Sequence, residues 1–121
     1  MDRDKYNEFC GALRSTTHVV QWGDADVWKV GGKVFAIGGW DDGSVLGVTF
    51  KTSRTDYEFL VRTPGLRPAP YLASRGFTWV QHYKLPGLDD EALCEHLEDS
   101  HRLVAEGLTK KLRVELRLND G

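Results

Sequence analysis

Val27-Trp28-Lys29-Val30-Gly31-Gly32-Lys33-Val34-Phe35-Ala36 is two apolar runs divided by a pair of glycines. A two-residue hairpin turn needs two consecutive positive φ angles, and glycine adopts both without steric cost. The stretch therefore predicts antiparallel strands over Val27 to Val30 and Val34 to Trp40. Asp42-Gly43 repeats the signal before a further run, Val45 to Thr52, and Val19 to Trp22 supplies a short strand upstream. Three or four strands in an antiparallel meander follow.

Upstream, Tyr6, Phe9, Cys10 and Leu13 recur at helical spacing and predict a first helix over Asp4 to Arg14. Downstream, Ser53-Arg54-Thr55-Asp56 has the form of a capping box and starts a helix that should end before Pro64-Gly65. Pro68 and Pro70 predict an ordered loop over Leu66 to Ala73. Phe77 to Lys84 alternates as a strand. Asp89 is a good N-cap for a last helical region, read as two helices with a break near Asp99-Ser100. The class is α+β, and 121 residues suit one domain, 1–121, with no repeat or linker.

The charged start, Met1-Asp2-Arg3-Asp4-Lys5, enters no apolar stretch of signal-peptide length, so a cytoplasmic protein without membrane insertion is expected. Cys10 and Cys94 form no paired motif and are read as reduced thiols. The formal charge of −2 hides segregation: net +4 over residues 51 to 84 and net −6 over residues 85 to 109.

No catalytic constellation is legible, so no enzyme, cofactor or metal site is expected. His96 and His101 stand about 140° apart around a helix and cannot share a metal. Cys94 and His101 share the apolar stripe, where a buried thiol beside a satisfied histidine is the simpler reading than a thiolate and its base. Glu91, Glu95, Glu98 and Asp99 read as a solvated acidic face. Gly31-Gly32-Lys33 lies between strands and lacks the first glycine of a phosphate loop.

The basic middle carries the functional signal. Lys51, Arg54, Arg67, Arg75 and Lys84 are interleaved with Tyr57, Tyr71, Phe77, Trp79 and Tyr83, a mixture suited to phosphates and bases. Against it, the aromatic residues could fill the core while the cations solubilise the surface, and the pI of 6.1 lies far below the ~9 of typical nucleic-acid-binding domains.

Trp28-Lys29-Val30-Gly31-Gly32-Lys33-Val34-Phe35-Ala36, Phe50-Lys51-Thr52-Ser53, Pro64-Gly65-Leu66-Arg67-Pro68-Ala69-Pro70-Tyr71-Leu72, Trp79-Val80, Ser100-His101-Arg102-Leu103-Val104 and Leu108-Thr109-Lys110-Lys111 follow in order along nearly the whole chain. In this ordered set the sequence resembles the MmcQ/YjbR family. The resemblance implies a frataxin-like (CyaY-like) two-layer sandwich, an antiparallel sheet with helices packed on one face, and a likeness to double-wing DNA-binding proteins. His101 stands where the family commonly has an aromatic residue, so it should be mostly buried with a ring nitrogen hydrogen-bonded. Two functions are carried forward. One is a non-enzymatic DNA-binding module, weak and sequence-indifferent, that sets Lys51, Arg54, Arg67, Arg75 and Lys84 against phosphates. The other is a protein-interaction domain that uses exposed tryptophans such as Trp22 or Trp40.

Overall fold

The computed structural model describes residues 1–41, 45–70 and 77–118, without the side chains of Trp40 and Asp41. Its elements run α1 (Arg3–Ala12), β1 (Thr16–Gln21), β2 (Ala25–Val30), β3 (Lys33–Asp41), β4 (Leu46–Lys51), α2 (Arg54–Leu60), β5 (Leu66–Pro68), β6 (Trp79–His82), α3 (Asp90–Glu106) and α4 (Lys110–Glu115). The six strands form one antiparallel sheet in the order β1-β2-β3-β4-β6-β5.

Local chemistry explains most boundaries. Gly31 and Gly32 both take positive φ, 59° and 80°, and turn β2 into β3 as the glycine pair requires. The Asp42-Gly43 turn lies outside the described residues, although β3 and β4 pair up to Asp41 and Leu46. Ser53 caps α2 by accepting a hydrogen bond from the Asp56 amide at 3.1 Å, and Asp89 caps α3 through the Ala92 amide at 2.8 Å.

Two expectations need correction. Leu66 to Ala73 is not a loop throughout, because Leu66–Pro68 forms β5 against β6. Pro68 is compatible with this because β5 is the sheet edge, where a missing N–H breaks no ladder. The last helical region does not break at Asp99-Ser100: α3 runs through to Glu106, and the break falls at Gly107, after which Thr109 caps α4.

The helix α3 is continuous because Ser100 is satisfied from the sheet. Between Trp28↔Ala36 and Lys29↔Val34 the ladder slips, leaving Phe35 as the extra residue of a β-bulge. The fully buried Ser100 hydroxyl donates to the Phe35 carbonyl at 2.6 Å and accepts from the Lys51 amide at 2.8 Å.

The register sorts side chains into two faces. Rows such as Trp28, Ala36, Phe50 and Val80 face the helices and join Tyr6, Cys10, Leu60, Leu93 and Leu97 in the main core. The row Val19, Val27, Ile37, Thr49, Gln81 and Arg67 crosses all six strands on the opposite face. On α1, Tyr6 reaches through the core to donate to the Asp26 carbonyl at 2.9 Å, and Gly38 leaves room for its ring.

Candidate functional site

Of the five cations singled out, the structure draws two onto one ring. Arg67, on β5, lies with its guanidinium carbon 4.2 Å from the Tyr83 ring centroid, and the Lys84 ammonium lies 5.4 Å from the same centroid. The Arg67 Nε also donates to Gln81 Oε1 at 2.8 Å, which orients the guanidinium. Lys51 shares the Arg67 face: it opposes Trp79 on β6, two residues along from the Thr49-Gln81-Arg67 row. Lys29 belongs to that face as well, in register two residues beyond Val27. The described side chains that register to this face include these three sheet cations and no carboxylate.

Arg54 stands apart, at the start of α2 in the helix layer, with its guanidinium carbon 5.6 Å from the Tyr57 ring centroid. Arg75 and Tyr71 lie outside the described residues. The acidic residues of the chain's −6 segment ride on α3, which packs on β3 and β4 from the helix side. The sheet therefore stands between the acids of α3 and the cations Lys29, Lys51 and Arg67.

Sequence reasoning missed a polar cluster built on the buried Asp26 of β2. The Asp26 carboxylate meets His18 Nε2 at 2.7 Å and Arg3 Nε at 3.5 Å, and the His18 ring lies 4.7 Å from that of Trp28. The signal was the Trp22-Gly23-Asp24 turn, whose three residues all take positive φ and whose hairpin sets His18 opposite Trp28 and Val20 opposite Asp26. This histidine and carboxylate form a dyad with no nucleophile attached to it among the described residues. Trp22 itself is 58% exposed, and Val20 on the edge strand β1 is 54% exposed. The Trp40 side chain lies outside the description.

His101 is half-buried, edge-on to Phe35, and its Nε2 lies 2.8 Å from the Arg14 carbonyl. It lines a cleft of about 710 Å³ between α1, α3 and α4, whose charges are mixed and in which Arg102 is tied to Asp99 and Glu106. Cys10 and Cys94 are free, and burial pushes both thiols up, away from the reactive thiolate. His82 is buried on β6 with neither ring nitrogen hydrogen-bonded among the described residues. It lies beside the backbone of Leu46 and Leu88, and burial lowers its pKa, which favours the neutral imidazole. Among the described residues no helix is long and apolar enough to cross a membrane.

No curated protein matches the chain. Solved structures are similar to it, among them these two. A Deinococcus radiodurans protein with a DUF419 domain is 24% identical, with a TM-score of 0.83 over 98% of this chain and 89% of that one. A Pseudomonas syringae protein is 19% identical, with a TM-score of 0.67 over 85% of this chain and 98% of that one. At these identities the likeness establishes a shared α+β fold. The sequence profile of one family matches residues 11–103, all six described strands together with α2 and most of α3, and the chain belongs to that family, YjbR.

Proposed function

We propose that this protein is a non-enzymatic module that binds DNA by its phosphate backbone, without reading sequence. The observation that supports this reading is the charge of the sheet face opposite the described helices: Lys29, Lys51 and Arg67 share it without a described carboxylate, and Lys84 joins Arg67 at Tyr83. Trp79 and Tyr83 beside these cations offer rings on which an unpaired base could stack. With the reading go a frataxin-like (CyaY-like) layering, double-wing docking through the hairpins, and a cytoplasmic setting in which Cys10 and Cys94 stay reduced.

A low-salt anisotropy titration with duplex and single-stranded DNA tests it. Engagement of about four phosphates gives a log-log salt slope of about −3.6 as salt is raised through the physiological range. Arg67→Glu with Lys84→Glu should abolish binding while the fold persists, because both side chains are exposed. Arg54→Glu, in the helix layer, should change it far less. No detectable binding, or binding unmoved by salt and by the double change, would refute the proposal.

A second reading rests on Val20 of the edge strand β1 and Trp22 of the turn that follows it, large apolar side chains exposed where a protein partner could dock. Affinity capture that retains a partner with the native protein and loses it with Val20→Ser/Trp22→Ser would support that reading.

A further inference from the structure

We propose that the notch between α2 and α3 binds one divalent first-row transition-metal ion through Asp56, His96 and Asp99. One donor atom from each of the three lies within 4.8 Å of the other two. His96 and Asp99 are three residues apart on α3 and so project from nearly the same side of the helix. Asp56 comes from the first turn of α2, whose entry is fixed by the Ser53 cap. The site joins segments forty residues apart, which is why spacing along the chain cannot disclose it.

Three features make the cluster a ligand set rather than a salt-bridge network. First, the His96 ring is stacked on the fully buried Phe50, with centroids 5.5 Å apart and planes 20° apart, so its direction is fixed by packing. Second, no hydrogen bond to either His96 ring nitrogen and no ion pair to the Asp56 carboxylate occurs among the described residues. Third, the ion pair to the cluster among the described residues comes from Arg102, 3.5 Å from Asp99, and its shorter bond, 2.8 Å, goes to Glu106. Arg102 can therefore release Asp99 and keep its other partner. Two carboxylates this close repel one another, and a divalent cation between them removes that repulsion.

The donor set selects the ion. Calcium needs six or more oxygens and magnesium avoids imidazole, whereas one imidazole with two carboxylates suits zinc, iron(II), cobalt(II) or nickel(II). Around such an ion, bonds of about 2.1 Å place neighbouring donors about 3.0 to 3.4 Å apart, a contraction that rotation of two surface aspartates can supply. Three protein ligands leave at least one position for water, and the site is reached from solvent, so the ion should exchange readily. The cluster belongs to the helix layer, on the far side of the sheet from the cations assigned to DNA.

The test is a titration of the chelator-stripped protein with Co²⁺, followed by its visible absorption, and with Zn²⁺ in competition. One equivalent should bind. Asp56→Asn and His96→Gln should each weaken binding by about tenfold or more, the loss that even an outer-shell partner of a metal causes. His101→Gln and Cys94→Ser should leave it unchanged, and circular dichroism should show every variant folded. Should His96→Gln fail to fold, Asp99→Asn takes its place. Absence of saturable binding below millimolar metal would overturn the proposal, as would binding that survives both Asp56→Asn and His96→Gln or that is lost with Cys94→Ser.

Discussion

Replacing Ser100 by alanine isolates what holds α3 to the sheet. The hydroxyl satisfies two backbone groups at once, the Phe35 carbonyl at 2.6 Å and the Lys51 amide at 2.8 Å, and the residue is fully buried. Alanine removes both partners, and a buried backbone group left unsatisfied costs about 1 to 3 kcal/mol. Two such groups span about 2 to 6 kcal/mol, and because Phe35 is completely buried but Lys51 only half-buried, the sum falls in the lower half, at about 3 kcal/mol. Alanine is the better helix former by about 0.5 kcal/mol, which leaves a net loss of about 2.5 kcal/mol. Helix propensity alone predicts the opposite sign, so the experiment separates the two terms cleanly. In urea the midpoint should fall with an unchanged slope, and the melting temperature should drop by about 10 °C. A loss below about 1 kcal/mol would refute the account, because it would mean that the bulge carbonyl and the Lys51 amide find other partners without the serine.

Two further outcomes follow from buried groups. Unfolded, His82 takes up its proton near pH 6.5, but in the folded protein burial lowers its pKa. Below pH 6.5 the unfolded chain therefore binds more protons, so stability should be full above that pH and should decline as pH falls toward the folded value. Urea midpoints from pH 8 to pH 5 should show this slope reduced in His82→Leu, and equal slopes would contradict it. Gly38→Ala would place a Cβ 2.6 Å from Tyr6 Cε2, and since Tyr6 is pinned to the Asp26 carbonyl its ring cannot yield freely. Equilibrium unfolding should show a loss of about 1 to 3 kcal/mol, and a neutral result would show that the ring has somewhere to go.

The elements legible in the sequence were those set by neighbours along the chain. Tyr6 and Cys10 mark the buried stripe of α1, Gly31-Gly32 the hairpin, and Ser53 and Asp89 the caps of α2 and α3. The misreadings arose where a distant group decided the outcome. Pro68 suggested a loop because nothing nearby shows that β5 is an edge strand with only β6 beside it. Asp99-Ser100 suggested a helix break because a serine inside a helix competes for backbone bonds, and only the bulge at Phe35 reveals where this one bonds instead. The candidate site followed the same rule. The cations were visible as a composition, but which of them share a face depends on the pairing of β4 with β6 and β6 with β5, and this sends Lys51 and Arg67 to one side while Arg54 goes with the helices. Asp56 and His96 carry no mutual signal in one dimension.

Segregation of charge along the chain becomes segregation across the fold because each charged segment is committed to one layer. The acidic segment is dominated by a single helix, α3, and two of the strongest cations sit on strands of the opposite face. How much α3 opposes an anion on the sheet face depends on salt. Packed layers are about 10 Å apart, which exceeds the Debye length of about 8 Å at physiological ionic strength, so there the helix carboxylates are largely screened. At 0.01 M salt that length grows to about 30 Å, and a phosphate at Arg67 would then also sense Glu91, Glu95 and Glu98 on α3. Repulsion of this kind offsets the gain from counterion release, so the log-log plot should bend over toward low salt instead of rising with one slope. The slope that counts phosphates is the one measured near physiological salt, where the sheet face acts on DNA without the opposing helix.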